Sequence, residues 1–234
     1  MILSEATIRI LKTYADISVS FCFVPGNKMF VISAGDGKFY AVAEVAETFP
    51  MTFPIYDLKR FLSVLTLSSP ADIEFNPTHL KITGYDDRMV SELEITDISF
   101  IPMPKKSNPP EFNSDDLQMI ISEQDLTKIM AMARVSEAPI IAIENDTKAT
   151  YLKAYDSKNA NFRPTRMLLN HIGNDEPYRI DLTTTYLSKL PADTYAVSIK
   201  KAGLVRFVGN KLPITYYIGA EATSYYGEDN DKAE

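Results

Sequence analysis

The sequence has 234 residues, 45% of them hydrophobic and 24% charged, with a formal net charge of −7 and a single cysteine. That much apolar material excludes bulk disorder, and the acidic balance excludes a protein that holds nucleic acid through its overall charge. One cysteine excludes an internal disulfide, and the opening Met1-Ile2-Leu3-Ser4-Glu5 has neither the basic start nor the apolar run of a signal peptide. No stretch is long enough to cross a bilayer, so the expectation is a soluble protein of a reducing, cytoplasmic compartment with no membrane partner.

In chain order, Ser4 is a good N-cap for a helix reaching about Asp16. Pro25-Gly26-Asn27 turns a strand over residues 19–24 into another over 29–33, and residues 39–44 read as a third. After Pro54, Asp57 caps a short helix through Leu67, and Pro77-Thr78 joins strands 72–75 and 80–83 into a hairpin before a last strand over 91–95. Pro102, Pro104, Pro109 and Pro110, with Lys105, Lys106, Ser107 and Asn108 among them, cannot form regular hydrogen-bonded structure and predict an extended linker. Beyond it come a helix from Ser122, strands over 140–143 and 150–155, a short helix over 184–190, and strands over 195–199, 205–208 and 215–220. The expected organisation is a first domain over 1–100, a linker over 101–116, a second domain over 117–226 and an acidic tail over 227–234 with Glu228, Asp229, Asp231 and Glu234.

The halves repeat. Ser4-Glu5 with Ile8, Leu11 and Ile17 matches Ser122-Glu123 with Leu126, Ile129 and Val135. Ile55 followed by Phe61-Leu62-Ser63-Val64-Leu65 matches Ile180 followed by Tyr186-Leu187-Ser188-Lys189-Leu190, and Leu80-Lys81-Ile82-Thr83-Gly84 matches Val205-Arg206-Phe207-Val208-Gly209. Three matches in the same order point to two copies of one α+β fold, against the alternative of a single 234-residue domain with similar helices.

On a helical projection Glu5, Arg9, Lys12 and Asp16 form one polar stripe, with Ile10, Leu11 and Tyr14 opposite. The second helix buries Leu58, Phe61, Leu62 and Leu65 and leaves Lys59, Arg60 and Ser63 outside. The third turns Leu126, Ile129, Met130 and Ala133 inward and Lys128 outward, with Arg134 at the margin. The fourth buries Tyr186, Leu187 and Leu190 and exposes Thr185, Ser188 and Lys189. Each stripe alone reads as an ordinary solvated face. Four together in an acidic chain predict a shared basic surface suited to a polyanion.

Catalytic chemistry finds little support. Gly35-Asp36-Gly37 lacks the remaining positions of a phosphate loop, and His79 and His171 have no Cys or carboxylate at metal-ligand spacing. Asp86-Asp87 follows a Gly-Tyr turn and reads as solvated, and Cys22, in Phe21-Cys22-Phe23-Val24, reads as a buried structural thiol. The expectation is therefore no enzyme, no metal and no cofactor.

Ile55-Tyr56-Asp57-Leu58 with Phe61-Leu62 and Leu65, the opening Leu3-Ser4 with Leu11-Lys12 and Tyr14-Ala15, and the closing Tyr216-Tyr217-Ile218 with Ala220-Glu221-Ala222 resemble the sliding clamp of tailed-bacteriophage replisomes, the DNA polymerase processivity factor. The resemblance runs nearly end to end and is looser over 159–177. It implies the α+β DNA-clamp fold, with two similar domains per subunit, helices lining a central hole and antiparallel sheets outside, assembled as a homotrimeric ring around duplex DNA without sequence specificity. Arg9, Lys12, Lys59, Lys128 and Arg134, with Arg60 and Lys189, would face the hole. It also implies a pocket for short peptides of the replicative DNA polymerase and of the clamp-loader ATPase, with Ile101, Met103, Tyr216, Tyr217 and Ile218 as walls, and the transcription machinery as a further partner. The basic pair Lys59-Arg60 and the threonines Thr183, Thr184 and Thr185 depart from the family pattern. The competing reading is a structural or adaptor β-rich protein of a virion whose basic faces are incidental.

Overall fold

The computed structural model describes residues 1–84, 86–104, 110–114, 116–170 and 176–227. Residues 105–109 of the expected linker, His171 and the acidic residues of the expected tail lie outside the described residues. The chain divides into two compact units, Met1–Pro110 with Leu212–Tyr216, and Glu111–Lys211 with Tyr217–Glu234.

In the first unit Ser4 caps α1 (Glu5–Ile17) by accepting the Thr7 N–H at 3.2 Å. A second acceptor reinforces the cap: the Glu47 carboxylate takes the Ser4 N–H at 2.5 Å and the Thr7 hydroxyl at 2.6 Å. Burial pushes the Glu47 carboxyl up, but these hydrogen bonds to its charged form outweigh that and hold it below its ordinary value. At the opposite face Tyr14 is fully buried, and its hydroxyl donates to the Met29 carbonyl at 3.0 Å. Burial, with Tyr216 and Tyr40 adding to it, raises the Tyr14 phenol well above its usual range, so it remains a donor.

Strands β1 (Phe21–Phe23), β2 (Gly26–Ile32), β3 (Phe39–Phe49) and β4 (Phe53–Ile55) follow. β2 and β3 form a hairpin whose turn uses Gly35 and Gly37 at φ 92° and 64°. β1 pairs antiparallel with β4, Cys22 opposite Pro54. After α2 (Leu58–Leu67), β5 (Ala71–Phe75), β6 (His79–Gly84) and β7 (Met89–Glu94) make a three-stranded antiparallel sheet, then a 3₁₀ turn spans Ile98–Phe100. The core is aromatic: the Phe23 ring lies 4.5 Å from Phe49, 4.9 Å from Phe21, 5.6 Å from Phe75 and 5.9 Å from Phe61. These are mostly tilted or edge contacts, the favoured geometry for ring quadrupoles. Cys22 is buried among these strands, and burial pushes its thiol up to about 11 against a small opposing hydrogen bond from the Phe53 backbone. It is structural.

The second unit holds β8 (Leu117–Ile121), α3 (Glu123–Val135), β9 (Ile140–Asn145), β10 (Thr150–Tyr155), β11 (Thr165–Asn170), β12 (Tyr178–Thr183), α4 (Thr184–Leu187), β13 (Tyr195–Lys200), β14 (Leu204–Gly209) and β16 (Tyr225–Tyr226). The strand β15 (Ile214–Gly219) is divided, with Ile214 to Tyr216 grouped in the first unit. One sheet runs β11-β10-β9-β12-β16, and β13 pairs on its two sides with β14 and β8. The buried Asp181 ties β16 to this sheet. Its Oδ2 accepts the Tyr155 hydroxyl at 2.7 Å and the Thr223 hydroxyl at 2.5 Å, and its Oδ1 lies 3.3 Å from Arg179 Nε. Burial first, and then the Asp181 hydrogen bond, raise the Tyr155 phenol.

The repeat is visible in three places. Ser122 caps α3 as Ser4 caps α1, accepting the Asp125 N–H at 3.1 Å, and both helices have 13 residues. Ile55 and Ile180 are both buried in strands that lead into a helix. Gly84 and Gly209 each end a strand where the segment after the second helix crosses it: a Cβ at Gly84 would stand 1.8 Å from the Ser68 carbonyl oxygen, and one at Gly209 2.7 Å from Asp193 Oδ2. Each half needs a glycine at the same point of the same fold.

Several elements differ from expectation. β3 runs five residues past Glu44, with a register shift against β2 near Gly26 and Lys28. β4, β8 and β11 appear where no strand was expected, and α4 is one turn long. Tyr186, expected to be buried, is half-exposed because that single turn brings only Leu187 fully inward.

Candidate nucleic-acid interface

In the first unit α1 and α2 pack against each other. Their inner faces, Ile10, Leu11 and Tyr14 on one and Leu58, Phe61, Leu62 and Leu65 on the other, are buried. The cations at the remaining helical angles have nowhere to go but solvent, and Arg9, Lys12, Lys59 and Arg60 are all turned outward and exposed. The α2 frame is fixed by Asp57, whose Oδ1 accepts the Arg60 N–H at 2.9 Å. Arg9 lies 3.8 Å from Glu5, a solvated pair of the kind that water and salt loosen. Lys12, Lys59 and Arg60 make no ion pair among the described residues. The Arg60 side of α2 borders a cleft of ≈ 360 Å³ that also has Tyr56, Asp57, Glu92 and Glu94 in its walls.

In the second unit Leu126, Ile129 and Ala133 hold α3 down, and Lys128 and Arg134 are exposed. Met130, expected to face inward, is half-buried, because the one-turn α4 leaves the flank of α3 uncovered. Two shallow clefts of ≈ 250 and ≈ 420 Å³ open there and share Met130, Arg134 and Ser188. Lys189, just past α4, is half-buried rather than fully outside. Each unit thus brings its own basic residues onto one helical layer: four in the first, two exposed and one half-buried in the second.

The residues named as walls of a peptide pocket are more enclosed. Ile101, Tyr216, Tyr217 and Ile218 are buried and Met103 is half-buried. Tyr216 stacks on Phe39 at 6.1 Å within the first unit. In the second unit a cluster beside Tyr217 was not anticipated. Phe112 lies 6.2 Å from the Tyr217 ring, with Lys200 Nζ at 5.2 Å and the Arg206 guanidinium at 4.6 Å from its centroid. Burial raises the Tyr217 phenol, and Arg206 acts against that. The alternation of Ser198, Lys200 and Arg206 along two paired strands was the available signal, but only the register, Ser198 opposite Arg206 and Lys200 opposite Leu204, shows them as neighbours. Phe112 carried no signal at all, since it sits at the end of a Pro-rich stretch.

Nothing in the described residues gathers three or more His, Cys, Asp or Glu into a metal cluster, and no helix among them is long and apolar enough to cross a membrane. Asp86 and Asp87 are exposed at φ 55° and 62° in the β6–β7 turn. His79 is half-buried, with Thr78 Oγ1 3.1 Å from its Nδ1.

No family model matches the sequence. Among curated proteins, the sliding clamp of Vibrio phage KVP40 is 27% identical over 227 residues, 95% of this chain and 100% of that protein. The sliding clamp of Escherichia phage RB69 is 31% identical over 157 residues, 67% of each. This chain belongs to the sliding clamps. The clamp's fold is also that of Proliferating Cellular Nuclear Antigen from Entamoeba histolytica, with a TM-score of 0.67 and 12% identity over 92% of this chain and 95% of that one. A. fulgidus PCNA, solved with the C-terminal region of FEN-1 bound, superposes with a TM-score of 0.64 at 10% identity over 92% of this chain and 94% of that one. At such identities the structures speak for the fold alone. Helices with antiparallel sheets are the α+β architecture of clamps, the processivity factors of DNA replication.

Proposed function

We propose that this clamp closes as a homotrimeric ring around duplex DNA, without reading sequence, and tethers the replicative DNA polymerase to its template. The observation that carries the reading is the set of outward cations on the helical layers, Arg9, Lys12, Lys59, Arg60, Lys128 and Arg134, in a chain of net charge −7. A ring linked topologically to its substrate needs no tight phosphate contacts, and tight contacts would oppose sliding; long flexible cations hold a duplex loosely and carry no base readout. The acidic remainder repels DNA from the other surfaces. Lys189 joins the lining from its half-buried position.

The ring is opened by a separate clamp-loader ATPase, and short segments of polymerase and loader dock near the linker, against Ile101, Met103, Tyr216, Tyr217 and Ile218. The cations Lys200 and Arg206 beside Phe112 support an acidic or C-terminal segment as the guest, and the bound FEN-1 C-terminal region of A. fulgidus PCNA is a parallel at the level of fold. The transcription machinery is a further partner, and the host cytoplasm is the setting.

Light scattering across a wide concentration range tests the assembly: a trimer at high concentration supports the ring, and a monomer throughout overturns it. Charge reversal at Arg9 and Lys12 then tests the lining. A clamp loses polymerase stimulation while keeping its oligomer, whereas indifference would return the protein to a structural or adaptor role.

A further inference from the structure

The two units offer unequal helical faces. In the first, α2 has ten residues and lies along α1; in the second, its counterpart α4 is four residues long and leaves clefts along α3. Charge follows the same division. α1 carries Arg9 and Lys12 with Glu5 and Asp16, and α3 carries Lys128 and Arg134 with Asp125 and with Glu123, whose carboxylate also pairs with Lys211 at 2.7 Å. α4 has no charged residue, and α2 has Lys59 and Arg60 with no acid in the helix. Around Arg134 the cleft walls add Glu137, and Asp193 stands in the neighbouring cleft. Around Arg60 the walls add Asp57, Glu92 and Glu94, but Lys59 lies outside that group.

Resting on the duplex-encircling reading above, we infer that the grip on DNA is unequal within each subunit: the N-terminal unit makes the dominant phosphate contacts through α2, Lys59 above all, and the C-terminal unit makes a minor share. A phosphate near Lys59 meets a solvated ammonium on a helix with no carboxylate to compete for it. A phosphate near Arg134 meets a guanidinium beside Glu137, over a recess rather than a raised helix. The attraction between unit charges a few ångströms apart at a wet surface is only on the order of 1 kcal/mol, so one neighbouring acid is enough to cancel most of it. The duplex therefore leans toward the N-terminal units.

The experiment measures binding of the full-length clamp, at concentrations where it is assembled, to a fluorescent blunt duplex by anisotropy over a series of salt concentrations. It compares the parent with K59A/R60A and with K128A/R134A. All four positions are exposed, so both double variants keep the fold. Each phosphate that a variant no longer neutralises reduces the slope of log affinity against log salt by about one. The expected result is a slope reduced by up to about two and an affinity lowered about tenfold at low salt for K59A/R60A, with less than half those changes for K128A/R134A. Among single variants Lys59→Ala exceeds Arg60→Ala. Equal losses from the two doubles, or a larger loss from K128A/R134A, would overturn the unequal grip while leaving the ring reading intact. No change in either double would remove the duplex-lining reading itself.

Discussion

Replacing Gly84 by alanine puts the packing of α2 to a direct test. The added Cβ would stand 1.8 Å from the Ser68 carbonyl oxygen, 2.7 Å from the Ser68 carbonyl carbon and 2.9 Å from its Cβ. Backbone and a stub of side chain cannot swing aside as a flexible tip would. Ser68 is itself fully buried, and its N–H bonds the Val64 carbonyl at 3.0 Å as the cap of α2, so the strand end or the helix end has to shift. Overpacking of this kind costs roughly 1–3 kcal/mol and sometimes more, and the closeness of the approach places Gly84→Ala at about 3 kcal/mol. In a chain of this size each kcal/mol lowers the melting temperature by roughly 2–4 °C, so a fall of about 6–12 °C is expected by circular dichroism or calorimetry. Gly209→Ala is the internal comparison, because its obstacle is a carboxylate oxygen at 2.7 Å. That carboxylate is held by the Thr194 and Lys211 N–H groups at 2.7 and 2.8 Å, so the cost is not zero, but about half as large. A Gly84→Ala protein within about 0.5 kcal/mol of its parent would refute the steric argument, since no relaxation that small clears such an overlap.

Other outcomes are open to measurement. The Glu47 carboxyl is held below its ordinary value, so the stability it adds is fully present above the unfolded-state value near 4.5 and is lost as pH falls through the lower folded value. Glu47→Gln should thus be less stable than the parent at neutral pH and show a flatter stability profile through the acid range; parallel profiles would remove Glu47 from the cap of α1. Cys22, buried and pushed up to about 11, should react with a thiol reagent far more slowly in the native protein than in urea. Rapid native labelling would contradict its burial. Asp181→Ala removes the acceptor of two hydroxyls and leaves Arg179 without its carboxylate, a change of about 3–5 kcal/mol, and should admit protease at residues 221–227 before the rest of the chain is cut. Uniform digestion would show that the segment is held by other means.

Much of the architecture was legible because local signals agreed. Ser4 and Asp57 are N-caps in fact as in expectation, Ser122 caps the helix expected to start there, and the stripes of α1 and α2 divide buried from exposed as their periodicity requires. Failures cluster where local signals conflict with pairing. Pro54 argues against a strand, yet β4 exists because only three residues need partners and Cys22 is the one opposite the proline. In β3 the polar Glu44, Glu47 and Thr48 end the apparent alternation, whereas the strand continues to the buried Phe49. Leu187 and Leu190 suggest two turns of helix, but the hydrogen bonds that follow Leu187 are tighter turns, from Lys189 to Tyr186 and from Leu190 to Leu187. On the candidate interface, exposure of Lys59 and Lys128 was readable from spacing alone. That Lys189 is drawn half inside, and that Lys200, Arg206 and Phe112 meet, depend on register and chain path that no local window contains.

The solvated state of Lys12, Lys59 and Arg60, which form no ion pair among the described residues, also bears on friction. A side chain that must first leave a carboxylate before it follows a phosphate adds a barrier at every step along the duplex, and travel becomes a sequence of activated jumps. Side chains already free in water rearrange in picoseconds to nanoseconds, so they pass from one phosphate to the next without waiting. For the ring proposed above, transport along the duplex is then expected to be governed by the drag of water, with a rate that scales inversely with solvent viscosity.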